Sequence, residues 1–324
     1  MKSISVLVTH NALIAAIGNT RYLFGLVNDF LKQSGQPALF DVKVVGVAKK
    51  MKLSGGLYIV QPDAIVEEVE QTDLIIIPPM SGEMESGISL NKKYISWIRQ
   101  QYQRGAEVAS LCVGAFLLAE TGLLRGRQCS SHWQSAPEFR KRYPDVHLVD
   151  DKIITDHNGL YTSGGANSYW NLLVYLVEKY TSRTMAIRTS KYFEVEMDRD
   201  TQSPFKIFEG NKLHDDKLVE CTQKFIESHY QDKLTIEQLA ALANLSRRTF
   251  HRRFKKATHF TVGEYIQRVK IEAAKQMLEA DGLTVNEVMF QVGYHDPKAF
   301  RDIFRKVAGM SPMSYKNRYH WDVF

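Results

Sequence analysis

The segment EVASLCVGAFLLAE contains the residues best suited to covalent chemistry, because Cys112 lies where an apolar strand turns into a helix. Ser110, Cys112 and Gly114 have the spacing of a nucleophile elbow, a sharp turn that needs a small residue and presents the nucleophile at a helix N-terminus. The helix dipole is expected to lower the pKa of the Cys112 thiol. His132 in SSHW is a candidate base. The alternative is a buried small hydrophobe and a satisfied core imidazole, but the elbow favours a preserved pocket.

A second functional set is a basic cluster in a stretch without acidic residues: Arg247, Arg248, Arg252, Arg253, Lys255 and Lys256. Phe250 and Phe254 lie four residues apart, so in a helix they form one apolar stripe. The opposite face then carries Arg248, Arg252 and Lys255, with His251 at its edge. Such a face attracts DNA phosphates, and arginine can read guanine in the major groove. A solvated helix face is the alternative interpretation.

An internal repeat positions this cluster. The stretches beginning at Thr235 and Thr284 match each other, and each starts with a capping-box pattern that predicts a helix start. Asn244 and Gly293 then tolerate a left-handed turn, after which a second helix follows. The spacing predicts two helix-turn-helix units, with the second helices capped at Ser246 and at Asp296 followed by Pro297. Apolar residues between the copies predict a linker helix: Val262, Ile266, Val269, Ala273, Met277 and Leu278.

The N-terminal two thirds alternate strand and helix patterns. Short β-branched runs occur at residues 4–8, 42–47, 74–77 and 108–111, and helical patterns at 22–32, 92–104, 114–120 and 168–180. This alternation predicts an α/β domain with a parallel sheet covered by helices on both faces. We expect an all-α domain of two helix-turn-helix units to follow it.

Length and composition fit two domains, because the chain has 324 residues with 44% hydrophobic and 24% charged residues. Residues 216–324 hold 18 Lys and Arg against 13 Asp and Glu, so most of the net charge of +6 is C-terminal. The longest aliphatic run, residues 74–77, is far shorter than a membrane span, and no signal-peptide pattern begins the chain. Three cysteines are too few for a disulfide framework. We therefore expect a cytoplasmic protein.

The C-terminal repeat resembles the DNA-binding domain of the AraC/XylS family of transcription regulators. The string VGYHDPKAFRDIFRKVAGMSPMSY carries the resemblance in the second unit, with Gly293, Phe300, Phe304, Gly309 and Pro312 at the expected places. The resemblance implies base-reading positions Arg248, His251 and Arg252 in the first unit, and Pro297, Lys298 and Arg301 in the second. Together with the charged cluster, the predicted DNA-binding residues are Arg247, Arg248, His251, Arg252, Lys255, Lys256, Pro297, Lys298 and Arg301. Met289 and Asp302 depart from the family pattern, which predicts weaker reading by the second unit.

Residues 3–190 resemble the class I glutamine amidotransferase-like superfamily, in particular its PfpI-like branch, through SLCVGAFLLAETGLLRGRQCSSHW and LYTSGGANSYWNLLVYLVE. Active members place a carboxylate from an early turn beside the cysteine, whereas the first acidic residue here is Asp29. Asn19, Thr20 and Arg21 occupy that segment, and Arg21 is either a ligand contact or a solvated residue at a helix start. The absent carboxylate favours sensing over catalysis. The expected ligand-binding residues are Cys112, Val113, His132, Arg21, Asn19, Thr162 and Ser163.

These observations predict a sequence-specific, DNA-binding transcriptional regulator that a small-molecule effector controls. We expect residues 1–190 to sense the effector and dimerise, residues 191–215 to connect, with Phe205 and Phe208 docked on the first domain, and residues 216–324 to bind DNA. The resemblance implies a homodimer, RNA polymerase as partner, a nitrogen-containing effector and gene activation. No zinc spacing or phosphate loop occurs, so we expect no metal and no cofactor. The alternatives are an active cysteine hydrolase or amidase with a regulatory DNA-binding domain, and a nonspecific nucleic-acid-binding protein.

Overall fold

A seven-stranded sheet forms the centre of the first of two units, Met1–Gln202 and Ser203–Phe324, into which the chain divides. The computed structural model describes residues 1–280 and 282–320. The strands of the first unit are β1 Lys2–Leu7, β2 Phe40–Gly46, β3 Met51–Leu53, β4 Tyr58–Val60, β5 Ala64–Ile65, β6 Leu74–Ile77, β7 Glu107–Ser110, β8 Gln128–Cys129, β9 His147–Leu148, β10 Ile154–His157 and β11 Leu160–Ser163. Its helices are α1 Ile14–Gln33, α2 Met84–Leu90, α3 Lys92–Gln103, α4 Ala115–Glu120, α5 Ala136–Arg142, α6 Ser168–Tyr180 and α7 Arg183–Phe193.

The order of the strands in the main sheet is β10-β11-β7-β6-β1-β2-β5. All neighbours are parallel except β10 and β11, which form an antiparallel edge. In β6, Leu74 and Ile76 face a core with α1, α6 and α7, whereas Ile75 and Ile77 face a second core with α2 to α5. A strand buried on both faces reads as a continuous apolar run, so the predicted α/β class is confirmed.

The start of α1 differs from the prediction. β6 and α6 have the predicted bounds, but α1 begins at Ile14, eight residues before its expected start. Its N-cap residue, Leu13, makes no side-chain capping bond, and the first turn carries no acidic residue. No local start signal exists there, so the predicted helix began too late.

The second unit is helical, with α8 Lys217–Ser228, α9 Ile236–Leu242, α10 Arg247–Thr258, α11 Val262–Glu279, α12 Val285–Gln291, α13 Pro297–Ala308 and α14 Pro312–Tyr319. It has two cores. Phe250 and Phe254 pack in the first, Phe300 and Phe304 pack in the second, and α11 supplies residues to both. The predicted linker helix α11 thus contributes to the hydrophobic cores of both helix-turn-helix units.

The predicted caps and turns of both units are present. Thr235 and Thr284 form capping boxes, and Asn244 and Gly293 have φ of 51° and 75°. Ser246 accepts a hydrogen bond from the Thr249 amide at the start of α10. Short-range chemistry therefore specifies both helix-turn-helix units.

The segment predicted as a connector is divided between the two units. Its first residues complete α7, and residues up to Gln202 belong to the first unit. Phe208 packs in the second unit, with its ring 5.7 Å from Phe260 and 5.3 Å from Tyr265. The expected docking of Phe208 on the first domain is therefore wrong. Phe205 lies in the second unit as well, 5.0 Å from the Arg318 guanidinium.

Candidate pocket and nucleic-acid interface

Cys112 occupies a sharp turn between β7 and α4, and its φ of 54° lies in the left-handed region. The Cys112 amide donates to Ser163 Oγ at 3.1 Å, and its carbonyl accepts from Ser131 Oγ at 3.3 Å. A Cβ on Gly114 would lie 2.8 Å from the carbonyl oxygens of Ile77 and Pro78. The spacing of small residues around the cysteine thus reflects the close approach of two backbones, as an elbow requires.

The electrostatics of the cysteine differ from the expectation. Cys112 is 5% exposed, and burial raises the pKa of its thiol to about 11, although a hydrogen bond from the Val113 amide opposes the shift. The predicted lowering by the helix dipole is therefore wrong, because the loss of water around a thiolate outweighs the field of a short helix. At neutral pH the Cys112 thiol is protonated.

His132 begins the short turn before α5 and is half-buried. Its Nδ1 accepts from the Gln134 amide at 3.1 Å, and burial lowers the pKa of the imidazole. The neutral ring then carries its proton on Nε2. Within residues 1–280 and 282–320, no hydrogen bond joins His132 to Cys112, and no carboxylate is bonded to either residue. The arrangement has no base with an orienting group.

The end of β11 joins the elbow to the loop before His132. Ser163 contacts Cys112, and Thr162 Oγ1 accepts from the Ser130 amide and bonds Thr155 Oγ1, each at 2.6 Å. Val113 is half-buried against the second core of the sheet. The structure therefore brings Cys112, Val113 and Ser163 together, with Thr162 one residue away and His132 on the adjacent loop.

Asn19 and Arg21 lie elsewhere. Because α1 begins at Ile14, both residues lie inside this helix, so Arg21 is not at the helix start that the sequence predicted. Arg21 forms an ion pair with Asp63 at 2.7 Å, and Asn19 Nδ2 donates to the Tyr169 hydroxyl at 2.7 Å. Both polar groups have partners other than the elbow.

Sequence reasoning missed several groups around the elbow. Ser131 contacts Cys112, and Gln202, only 1% exposed, is bonded to the same loop. Ser110, which the sequence already placed in the elbow, has a buried Oγ for which the described residues offer no hydrogen-bond partner. Ser131 and Gln202 come from other parts of the chain than Cys112, so no local sequence signal marks them.

The basic cluster lies on α10. Arg247, Arg248, Arg252, Lys255 and Lys256 are exposed, and His251 is half-buried beside them. Arg247 forms an exposed ion pair with Glu237 at 2.8 Å, and Arg253 pairs with Asp216, the N-cap residue of α8. Arg253 therefore has a structural partner. Among the residues that the structure describes, four of the cluster form no ion pair: Arg248, Arg252, Lys255 and Lys256.

The equivalent helix of the second unit is α13. Pro297, Lys298 and Arg301 are exposed at its start, and Arg301 Nε donates to the Pro297 carbonyl at 3.0 Å. Arg305 and Lys306 are also exposed. The sequence prediction omitted these two residues, although they follow from the repeat, because they match Lys255 and Lys256 at an offset of fifty. Both second helices present basic side chains to solvent.

Within residues 1–280 and 282–320, no three or more His, Cys, Asp or Glu residues are placed to hold a metal ion. In the same part of the chain, no helix is long and apolar enough to cross a membrane.

A sheet domain with a cysteine elbow, followed by two helix-turn-helix units with basic second helices, defines a class of DNA-binding regulators. Comparisons with known proteins agree. A model of the DJ-1/PfpI family matches residues 24–179, and a model of a helix-turn-helix domain matches residues 239–318.

The chain is similar along its length to regulators of Pseudomonas aeruginosa. It is 26% identical over 263 residues to the HTH-type transcriptional regulator GbdR, covering 80% of this chain and 70% of GbdR. It is 24% identical over 255 residues to CdhR, covering 78% of this chain and 74% of CdhR. The chain therefore combines a DJ-1/PfpI domain with an AraC-type helix-turn-helix domain, and it is a DNA-binding transcriptional regulator.

Solved structures share the fold of the first unit. A protein from Vibrio parahaemolyticus described as a transcriptional regulator superposes with a TM-score of 0.53 at 21% identity, over 59% of this chain and 98% of that one. A ThiJ/PfpI family protein from Pseudomonas syringae gives 0.51 at 16% identity, over 75% and 91% of the two chains. These likenesses support the fold alone.

Proposed function

We propose that the first unit is a sensor that binds a small-molecule effector beside Cys112 and does not turn it over. The main support is that the turn around Cys112 has the shape of a nucleophile elbow, whereas its thiol lacks the features of a reactive nucleophile. Gly114 and Ser163 keep the turn, while burial raises the pKa of the thiol and no base is bonded to it. A thiolate is the nucleophile in cysteine chemistry, so this geometry favours binding over hydrolysis.

The proposed effector is a small nitrogen-containing molecule, by similarity to related regulators. The groups available around the elbow are neutral: the Cys112 thiol, the Ser131 and Ser163 hydroxyls, and the His132 imidazole. A small number of convergent polar groups is typical of sites that bind small molecules. We propose that such binding controls gene activation.

We propose that the second unit reads operator DNA through α10 and α13. The base-reading residues are Arg248, His251 and Arg252 of α10, and Pro297, Lys298 and Arg301 of α13. Arg247, Lys255 and Lys256 serve as phosphate contacts. Two second helices on one chain can enter successive segments of the major groove about one DNA turn apart.

The remaining assignments follow from this scheme. Residues 1–190 would sense and dimerise, residues 191–215 would connect, and residues 216–324 would bind DNA, of which Asp281 and residues 321–324 lie outside the described part. We propose a homodimer, because linking weak readers raises their effective concentration. A regulator that contacts RNA polymerase on chromosomal DNA acts in the cytoplasm, and no cofactor is needed.

Charge reversal at Arg252 tests the DNA interface. Arg252→Glu should remove specific operator binding, because Arg252 is exposed and without an ion pair among the described residues. Arg99→Glu, on an exposed position of the first unit, changes the net charge equally and is the control. Fluorescence anisotropy with operator and random DNA at fixed salt measures both. Unchanged operator affinity of Arg252→Glu would exclude α10 as a reader.

Thermal denaturation of the full chain tests the sensor. Wild type and Cys112→Ala are heated with a panel of small nitrogen-containing compounds, and intact mass is recorded. A ligand at a hundred times its dissociation constant adds about 2.7 kcal/mol to the stability of the folded state. Stabilisation of both proteins without a mass change supports sensing. Consumption of a compound, or an adduct on wild type alone, indicates a cysteine hydrolase or amidase instead.

A further inference from the structure

Gln202 is the last residue of the first unit, and its side chain is held inside that unit. Its Oε1 accepts from the Gly165 amide at 2.7 Å. Its Nε2 donates to the carbonyls of Ser131 at 3.0 Å and Lys152 at 3.3 Å. With 1% of its surface exposed, Gln202 is buried although it immediately precedes the DNA-binding unit.

The groups around this side chain form a site for a primary carboxamide. They offer one N–H donor and two carbonyl acceptors, the complement of a C=O and an NH₂. The backbone is shaped to the same group, because a Cβ on Gly164 would lie 2.7 Å from Gln202 Nε2 and 2.8 Å from its Cδ. A side chain at residue 164 would therefore exclude the carboxamide.

The same loops form the proposed effector pocket. Ser131, which accepts from Gln202, donates its hydroxyl to the Cys112 carbonyl, and Ser163, one residue before Gly164, accepts from the Cys112 amide. The His132 ring lies 3.8 Å from the position of a Cβ on Gly165. Gln202 therefore fixes the two loops that border the elbow.

The backbone reinforces the attachment of this segment. The Gln202 amide donates to the Asp151 carbonyl at 2.8 Å, and the Ile153 amide donates to the Asp200 carbonyl at 3.1 Å. The residues that lead into the second unit are thus paired to the segment that precedes β10. This pairing holds the chain immediately before Ser203, where the second unit begins.

We propose that Gln202 is a latch whose carboxamide occupies a carboxamide site at the border of the effector pocket. An effector bearing a primary amide or a ureido group takes the place of Gln202 and releases the segment before Ser203. This inference rests on the proposed sensing function and names its regulation and ligand class. Because coupling between two sites is reciprocal, the latched segment also opposes entry of the effector.

Alkylation of Cys112 by iodoacetamide measures the latch without an effector or DNA. In the full chain, Gln202→Gly should increase the rate of Cys112 carbamidomethylation at least tenfold, as measured by peptide mass spectrometry. The reason is that loops 131–132 and 163–165 lose the hydrogen bonds of the Gln202 side chain that connect them. Limited proteolysis should cut the variant faster between residues 194 and 202. Gln134→Gly, an exposed glutamine beside His132, and Gln223→Ala, a buried glutamine of the second unit, should match wild type.

Chemical rescue tests the site itself. Propionamide should enter the space left in Gln202→Gly and return Cys112 alkylation toward the wild-type rate. N,N-dimethylpropionamide, which has no N–H donor, should not. A fast rate that propionamide does not slow would indicate lost packing and would overturn the proposal, as would a wild-type rate in the variant.

Gln202→Glu provides a second variant if Gln202→Gly does not fold. It keeps the side-chain length but turns an acceptor toward the carbonyls of Ser131 and Lys152, so it should also accelerate alkylation. If neither variant changed the rate of Cys112 alkylation, the proposal that Gln202 is a latch would be refuted. The sensor and operator experiments would still stand, since neither involves this residue.

Discussion

Two glycines show how the elbow constrains single residues. Gly114 has no room for a Cβ, which would meet backbone carbonyl oxygens of the Ile77–Pro78 segment. Gly18, inside α1, has no atom within 4 Å of the equivalent position. The same residue type is therefore a packing requirement at one place and a helix weakness at the other.

Alanine substitution should separate these two roles. Gly114→Ala should lower the free energy of unfolding of the first unit by about 1–3 kcal/mol, since carbonyls of the sheet must move. Gly18→Ala should raise it by roughly 0.5–1 kcal/mol through helix propensity. Urea titration of the full chain, followed by tryptophan fluorescence, measures both. Equal effects of the two substitutions would contradict the close-packed elbow.

At this scale, local chemistry was predictable and distant contacts were not. Cys112 and Gly114 are two residues apart, so their spacing alone indicated the turn. Gln202 contacts Gly165 and Ser131 across 37 and 71 residues, and nothing in its neighbourhood indicates burial. The pKa of Cys112 was predicted in the wrong direction because burial, unlike a helix dipole, depends on the whole packed core.

Capping boxes stabilise the N-termini of α9, α11 and α12 in the second unit. Thr235, Thr261 and Thr284 each donate their backbone amide to the residue three positions on, at 3.0, 2.9 and 2.7 Å. The acceptor is an amide at Gln238 but a carboxylate at Glu264 and Glu287. Hydrogen bonds from the threonine backbone, and then from its hydroxyl, lower the pKa of both carboxyls.

These shifts predict a pH dependence that differs between elements. A lowered folded pKa means that the added stability is present above the ordinary glutamate pKa of about 4.3, and is lost as pH falls through the folded value. Amide exchange at the first turns of α11 and α12 should therefore quicken, relative to intrinsic rates, below about pH 4. The first turn of α9 should not show this change, because Gln238 does not titrate. Equally faster amide exchange at the first turns of α9, α11 and α12 would contradict this explanation by Glu264 and Glu287.

The elements themselves were predictable where chemistry marks their ends. Thr235 and Thr284 are the N-cap residues of α9 and α12, and their capping boxes are visible in the sequence. A continuous apolar run marks β6. The start of α1 was missed because Leu13 provides no cap, and the two-residue β5 is too short for a periodic pattern. Tertiary packing alone defines such elements.

At the scale of the molecule, Lys270 fixes the two helix-turn-helix units to each other. This lysine of α11 is 8% exposed, and its Nζ donates to the Val292 carbonyl at 3.0 Å and the Asp232 carbonyl at 3.4 Å. Burial lowers the pKa of its ammonium group. A Cβ on Gly293 would lie 2.1 Å from the Gln231 carbonyl oxygen. The loop before α9 and the turn after α12 therefore meet at one lysine.

Loss of this junction should affect operators according to their spacing. Lys270→Met leaves the buried Val292 carbonyl without its lysine donor, which should cost roughly 1–3 kcal/mol of stability. It should also reduce the preference for the native spacing of the two subsites several-fold, while Lys270→Arg retains most of it. Lys224→Met, at an exposed lysine of α8, is the control. An unchanged spacing preference, measured by anisotropy with operators lengthened by two base pairs, would contradict this role.

The sharing of α11 between two cores also limits how regulators of this design can exchange parts. Val262 and Tyr265 close the first core, and Ala274 and Leu278 close the second. A recombination point inside or beside α11 would leave one helix-turn-helix unit without the α11 residues that complete its hydrophobic core. The two units must therefore be inherited together. A junction at Gln202 and Ser203 would cut neither core of the second unit. Sensor domains and complete pairs of readers can therefore be exchanged at that junction, whereas a single reader cannot be exchanged without its neighbour.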